Sequence, residues 1–257
     1  MERRPFADDL FALVSPALES RGFLAAFTER TGGASASPYD SLNLGLHTGD
    51  DRAAVVSNRE RVASALGLPP FAALRQVHGS RLVRLGERKA GAGFSDEDAP
   101  AAEADAALVT RPGLPLAILT ADCVPVAIAS EAEGCFVAAH AGWRGLAAGI
   151  VDRAMGAFEH PGRAAAAIGP AIGPCHYEVG EDVALAVAAG SDAGAVVEPR
   201  EGAVFLDLPG TVARVLRRAG VRTIDRADEC TACEEARFFS HRRDGVTGRQ
   251  AMVVARR

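Results

Sequence analysis

The stretch LPLAILTADCVPVAIASEAEGCFVAAHAGWRGL, residues 114–146, decides how this chain folds. Its apolar runs at 116–120, 124–130 and 135–139 are short and are separated by Asp, Glu and Gly. Runs of that length bounded by turn-forming residues read as strands. Past Gly145 the pattern changes, because Leu146, Ile150, Val151, Met155 and Phe158 fall on one helical stripe that His160-Pro161-Gly162 stops. The spacing predicts one helix there, and residues 140–145 become the turn of a strand-turn-helix unit.

Further strands are expected at 22–28, 81–85, 106–110, 164–168 and 250–255. A helix is expected over 52–66, with Val55, Arg59, Val62 and Leu66 on one face, Asp50 and Asp51 as caps, and Gly67 with Pro69-Pro70 ending it. Residues 181–189 and 211–219 also read as helices. The polar, Ala-rich stretch 95–105 reads as an exposed, mobile loop. Thr31-Gly32-Gly33-Ala34-Ser35-Ala36-Ser37-Pro38 is a turn or a site. Short strands with interspersed helices, no repeat and no compositional break predict one α/β (α+β) domain over 1–257 with mixed sheets, not a strict βαβ array.

Composition narrows the function. The chain has 257 residues, 48% hydrophobic and 24% charged, which supports a sizeable core and excludes disorder as its main character. A net charge of −5 with scattered basic residues offers no phosphate-neutralising stripe, so no nucleic-acid partner is expected. No apolar run approaches the roughly 20 residues that span a bilayer, so no membrane partner is expected, and Met1-Glu2-Arg3-Arg4-Pro5-Phe6-Ala7-Asp8-Asp9 lacks the pattern of a secretion signal. The expected location is the cytoplasm. Five cysteines, an odd number, argue against a disulfide framework and leave metal binding, nucleophilic chemistry or burial.

Three segments concentrate metal-capable side chains: Arg75-Gln76-Val77-His78-Gly79, Thr120-Ala121-Asp122-Cys123 and His140-Ala141-Gly142-Trp143-Arg144-Gly145. Catalytic zinc takes three protein ligands and keeps one open position, and His78, Cys123 and His140 would supply such a set. Equally, each His could be a hydrogen-bonded structural residue and Cys123 a small buried hydrophobe. Arg75, Arg144 and Arg242 supply cationic forks for a phosphate, joined by the backbone N–H groups of the helix beginning near Gly145. Asp122 is a candidate acid or base, although strand alternation would turn it away from Cys123. Cys230-Thr231-Ala232-Cys233 is half of a structural zinc site, a redox pair or a plain turn; Cys135 reads as core. Residues 169–178 read as a tight Gly/Pro loop, and whether Cys175 and His176 join a site is left open by the sequence.

Taken together, these segments resemble the multicopper polyphenol oxidase, or laccase-domain, family, whose members are also described as zinc-dependent purine nucleoside phosphorylases. The match runs from Thr31-Gly32-Gly33, Ser41-Leu42-Asn43-Leu44-Gly45, Gly49-Asp50-Asp51 and Asn58-Arg59, through the three ligand segments, to Gly169-Pro170, Tyr177-Glu178-Val179, Phe239-Ser240-His241-Arg242-Arg243-Asp244-Gly245 and Thr247-Gly248-Arg249. The resemblance implies His78, Cys123 and His140 as metal ligands, and Asn43, Arg59, His241 and Arg243 as substrate-binding residues. It implies mixed sheets flanked by helices, layered α/β/β/α. It also implies phosphorolysis of adenosine, inosine, guanosine and methylthioadenosine to base and ribose 1-phosphate, with adenosine deamination alongside, in a monomer or small homo-oligomer. His241 departs from the family pattern, which has an aromatic residue such as Tyr there.

The oxidase name meets a counting objection, since a blue-copper site and a trinuclear cluster together need more imidazoles than the six His of this chain supply. Zinc with an open position suits attack at C6 of adenine and orientation of phosphate better. A metal-independent cysteine hydrolase, with Cys123 as nucleophile and His78 or His140 as its base, uses the same residues. A binding module without catalysis would leave the His and Cys residues with no shared pocket.

Overall fold

Alternation along the central strands sets the layers. In the strand Val124–Ser130, Val124, Val126 and Ile128 join one apolar cluster while Ala127 and Ala129 join another. In Leu116–Thr120, Leu116 and Ile118 share that second cluster, and Ala117 and Leu119 face a third. Period-two side chains thus put the middle cluster between two sheets and the outer clusters beneath helices. The computed structural model describes residues 1–191, 193–200 and 202–257.

One six-stranded sheet runs in the order Glu2–Ala7, Leu10–Val14, Phe23–Thr28, Gln250–Arg256, Leu116–Thr120, Ala72–Ala73. The other runs Thr223–Arg226, Ala165–Ile168, Val124–Ser130, Cys135–Ala141, Ala106–Val109, Leu82–Leu85. Both are mixed: Ala72–Ala73, Leu82–Leu85 and Thr223–Arg226 pair in parallel at the edges, and the inner pairs are antiparallel. A third, three-stranded antiparallel sheet joins Glu178–Val179, Ala203–Leu206 and Val197–Arg200.

Between the large sheets, Phe23, Phe27 and Phe136 fill space that Ala107, Ala127, Ala138, Ala165 and Ala167 leave open. Large against small keeps a core dense. The helix Arg52–Ala65 covers the first sheet through Val62 and Ala63, and Trp143–Ala147, Ile150–Met155 and Leu208–Arg218 cover the second. The α/β/β/α layering follows.

The apolar stripe 146–158 is two helices, not one. Gly149, at φ 75°, adopts a left-handed conformation between Trp143–Ala147 and Ile150–Met155. A stripe records which side is buried and is blind to a backbone break that glycine permits. The helix expected at 211–219 begins earlier, at Leu208, because the Asp207 carboxylate accepts from Gly210 N at 2.7 Å. Asp51 caps Arg52–Ala65, while Asp50 accepts from the Asn43 amide instead. The stretch 95–105 is not wholly exposed, since Ala101, Ala104 and Asp105 are buried.

Candidate metal centre

The chain passes from the first large sheet to the second twice, and each of these crossings carries a candidate ligand. The chain leaves the first sheet at Ala72–Ala73 and enters the second at Leu82–Leu85, with His78 between; it crosses again from Leu116–Thr120 to Val124–Ser130, with Cys123 at the end of the turn. His140 lies in Cys135–Ala141, opposite Pro125 in the register with Val124–Ser130. Their ligand atoms all fall within 4.8 Å of one another.

His78 and Asp122, at φ 60° and 95°, are the non-glycine residues with positive φ among those described. Both sit in these crossings. Non-glycine residues persist in this region only where the surroundings over-determine them, and Asp105 supplies the determination for His78. Its carboxylate accepts from the backbone N–H of Val77, His78 and Gly79 at 3.1, 2.9 and 2.8 Å. It also accepts from His140 Nδ1 at 2.9 Å, which keeps the proton on Nδ1 and leaves Nε2 as the ligating nitrogen. Gly142 lets the third segment close in, because a Cβ there would stand 2.9 Å from Cys123 Sγ.

The electrostatics match the donor set. Burial pushes the Cys123 thiol up, but His140 and His78 outweigh it and hold the thiol down at about 6. Burial presses the His140 imidazole down, and Cys123 and Asp105 outweigh it to hold the ring at about 9. Burial also raises the Asp105 carboxyl, yet its hydrogen bonds with His140 and Gly79 keep it below its ordinary value. A thiolate, two imidazoles and a carboxylate behind one imidazole are the ingredients of a three-ligand zinc site with a supporting outer shell.

These ligands lie in the wall of a cavity of about 740 Å³, a size that fits a small organic ligand. Arg59, Arg75, Arg144, Arg242 and Arg249 all reach its wall. Arg144 stacks on the Trp143 ring, 4.3 Å from its centroid, and has no hydrogen-bond or ion-pair partner among the described residues. Arg75 reaches Glu97 O at 3.2 Å and Asp98 at 3.5 Å, and Arg242 reaches Glu178 O at 3.2 Å. The helix carrying Arg144 spans only Trp143–Ala147, so the arginines, rather than a helix dipole, are the cavity's cationic feature.

Other sequence candidates take different places. Asp122 borders the cavity, but both its oxygens are engaged: Thr231 Oγ1 donates to one at 2.7 Å and Arg242 N to the other at 2.7 Å. The alternation argument fails here because Asp122 lies in a turn, outside any strand. Asn43 is fully buried away from the wall and ties Thr48, Asp50 and the backbone of Gly45 and Arg249 together. Arg243 donates to Thr231 O, Ala232 O and Phe238 O, also away from the wall. Arg59 is buried and donates to the carbonyls of Leu44, Gly93 and Phe94, and burial lowers it to about 10. His241 does line the cavity, donating Nδ1–H to Gly245 O at 2.7 Å.

Sequence reasoning missed His47, Gln76, Tyr177 and Arg249 in the wall. It also missed Asp105, whose signal is an acid placed directly before the apolar strand Ala106–Val109.

A sequence profile described as Multi-copper polyphenol oxidoreductase laccase matches residues 24–257. Among similar proteins, "Purine nucleoside phosphorylase YfiH" of Escherichia coli (strain K12) is 38% identical over 92% of this chain and 95% of its own length. "Purine nucleoside phosphorylase ORF3" of Streptomyces griseus is 45% identical over 89% and 92%. The crystal structure of YlmD from Geobacillus stearothermophilus superposes with a TM-score of 0.90 at 36% identity, covering 99% of this chain and 98% of that one. With the profile spanning nearly the whole sequence and the fold shared end to end, this chain belongs to the multi-copper polyphenol oxidoreductase laccase family.

Proposed function

We propose that this protein is a zinc-dependent purine nucleoside phosphorylase that cleaves adenosine, inosine, guanosine and methylthioadenosine with phosphate, and that it deaminates adenosine as an accompanying activity. The observation that carries the reading is a three-donor His–Cys–His set in the wall of an arginine-lined cavity. The names printed for its relatives point the same way.

His78, Cys123 and His140 would hold the ion, and Asp105 fixes the His140 tautomer. Bound there, zinc would supply Lewis acidity toward phosphate and a water of lowered pKa, about 7, for attack at C6 of adenine. Arg144, with an unspent guanidinium, holds phosphate oxygens bidentately, with Arg75 and Arg242 at the rim. Cleavage of the ribosyl bond develops oxocarbenium character near C1′, and the clamped phosphate dianion stabilises it electrostatically. His241, with Nδ1–H given to Gly245 O, keeps Nε2 for the substrate. Asp122 acts as a positioning residue that sets Arg242 and Thr231. We place the activity in the cytoplasm, where thiols stay reduced; all five cysteines are free, and among the described residues no helix is long and apolar enough to cross a membrane.

The competing cysteine-hydrolase reading has its own observation, a Cys123–His140–Asp105 chain laid out as nucleophile, base and orienter. His78 argues against it, because a second imidazole against the same sulfur completes a ligand set and obstructs a nucleophile. Polyphenol oxidation would need further copper centres, and among the described residues the only other metal-capable cluster is rich in cysteine. The test is metal analysis of chain purified without added metal, paired with inosine turnover with and without phosphate. Zinc together with phosphate-dependent release of hypoxanthine is expected. Copper with phenol oxidation, or full activity in a metal-free chain whose Cys123 is alkylated by iodoacetamide only with loss of turnover, overturns the reading.

A further inference from the structure

Cys230-Thr231-Ala232-Cys233 finds its missing half in the loop that follows Ala165–Ile168, at Cys175-His176. Cys175 Sγ lies 3.5 Å from Cys233 Sγ. His176 Nδ1 lies 3.4 Å from Cys175 Sγ, 3.4 Å from Cys233 Sγ and 3.9 Å from Cys230 Sγ. Tetrahedral zinc with bonds of about 2.3 Å to sulfur and about 2.05 Å to nitrogen sets sulfurs about 3.8 Å apart and nitrogen about 3.6 Å from sulfur. The observed nitrogen–sulfur distances bracket the second value, and the Cys175–Cys233 sulfur edge falls short of the first by about 0.3 Å. We propose that Cys175, His176, Cys230 and Cys233 form a Cys₃His zinc site, structural in role and separate from the cavity.

Local structure is built for it. Gly173 N–H donates to Cys230 Sγ at 3.1 Å, a backbone hydrogen bond of the kind that supports a ligating thiolate. Gly173 eases the close approach, because a Cβ there would stand 3.3 Å from both Cys175 Sγ and Cys230 Cβ, a tight contact. The thiols are free, and the imidazole seated among three sulfurs completes a set of four donors. Four protein donors fill a tetrahedron and leave no open position for substrate, which makes the site a staple.

What it staples is the far wall of the cavity. Ala171 bridges Cys230, and Thr231 N donates to Ala171 O at 3.0 Å. Thr231 Oγ1 holds Asp122, which holds Arg242 N, and the Arg242 guanidinium stacks 5.1 Å from the ring of Tyr177, next in sequence to His176. Zinc at the four-donor cluster therefore fixes the two segments from which Tyr177 and Arg242 face the substrate.

The decisive background is Cys123→Ser, which removes the cavity thiolate and leaves the four-donor cluster untouched. Elemental analysis of this full-length variant should find about one zinc per chain, and the added pair Cys175→Ser and Cys233→Ser should abolish it. On the unmutated chain, iodoacetamide labelling read by mass spectrometry should spare Cys175 and Cys233 as purified and modify both after chelation, a result that does not depend on any variant folding. Cobalt uptake by Cys123→Ser should bring the intense thiolate-to-metal absorption of a sulfur-rich tetrahedral site. A zinc-free Cys123→Ser chain with Cys175 and Cys233 freely labelled, or joined by a disulfide, overturns the proposal. Because the readout is taken where the cavity ligand is absent, failure of the phosphorylase reading leaves this result legible.

Discussion

The cavity centre and the cluster of three cysteines and one histidine draw on the same kinds of side chain and are put together in opposite ways. His78, Cys123 and His140 come from three segments at the seam of the sheets, two of the segments hold non-glycine residues at positive φ, and arginines surround the opening. Cys175, His176, Cys230 and Cys233 come from two segments, each supplying two donors, and Gly173 takes up the crowding. Strain tolerated around three donors suits a site that must keep a position open for chemistry. Four donors on relaxed turns suit a site whose task ends once it is filled.

The largest effect separates these roles. Cys123→Ser should lower phosphorolysis on the order of 10³-fold, the loss of several kcal/mol of charge stabilisation, while Tm changes little. Steady-state kinetics beside a thermal melt makes the comparison. A variant that loses its fold along with its activity would turn the cavity centre into a second staple and erase the distinction. Next comes Asp105→Asn, which keeps the shape and weakens the acceptor for His140 and three amides. Zinc affinity and turnover should fall together by about 10- to 100-fold, read by competition with a chelator and by initial rates. An unchanged affinity would move Asp105 from supporting the metal to supporting the loop alone.

How far these two regions were legible in the sequence follows from where their determinants lie. The strand at 106–110 and the helix at 52–66 came out nearly as expected because burial on one face is written at a local period. The three ligand segments were visible because each packs polar donors into a strand end. Asp105 was hidden at the edge of a stretch whose average is polar, and what turns it inward is a set of amides from residues 77–79. The pairing of Cys175-His176 with Cys230-Cys233 was hidden for a related reason: the two turns are brought together by long-range contacts such as the bridge between Ala171 and Cys230. Gly149 ended a helix that its apolar stripe carried straight through. Local periodicity names the buried face of an element, and long-range pairing decides which turns share a site.

Acid tests the peripheral side of the comparison. The segment that carries Cys230 and Cys233 is also clasped by Glu29, which is buried at the end of Phe23–Thr28 and accepts from Arg237 Nε at 2.8 Å and from Arg3 at 2.8 and 2.9 Å. Burial raises the Glu29 carboxyl, but Arg3 and Arg237 outweigh it and hold it below the ordinary value. A carboxyl depressed in the folded chain adds stability that is fully present above its unfolded pKa, about 4.3, and is lost as pH falls through the depressed value. Glu29→Gln should therefore cost about 2 kcal/mol at neutral pH, about 4–8 °C in Tm for a chain of this size, and the gap to wild type should close below about pH 4. A gap that stays constant with pH would assign the loss to shape instead of charge.

The smallest effect probes what the cavity has and the peripheral cluster lacks, an uncommitted cation. Arg144 rests on Trp143 with its donors unspent, whereas Arg243, near the cysteines, gives its donors to three backbone carbonyls. A guanidinium held by stacking alone pays little to turn its fork toward a phosphate, and one charge-assisted pair is worth about 1.5–3 kcal/mol. Arg144→Ala should raise the KM for phosphate about tenfold, with the KM for inosine nearly unchanged and zinc content intact. Arg144→Lys should restore only part of the loss, since a point charge replaces a bidentate fork. If inosine KM rises and phosphate KM does not, Arg144 faces the nucleoside, and the phosphate must be held by Arg75 and Arg242 at the rim.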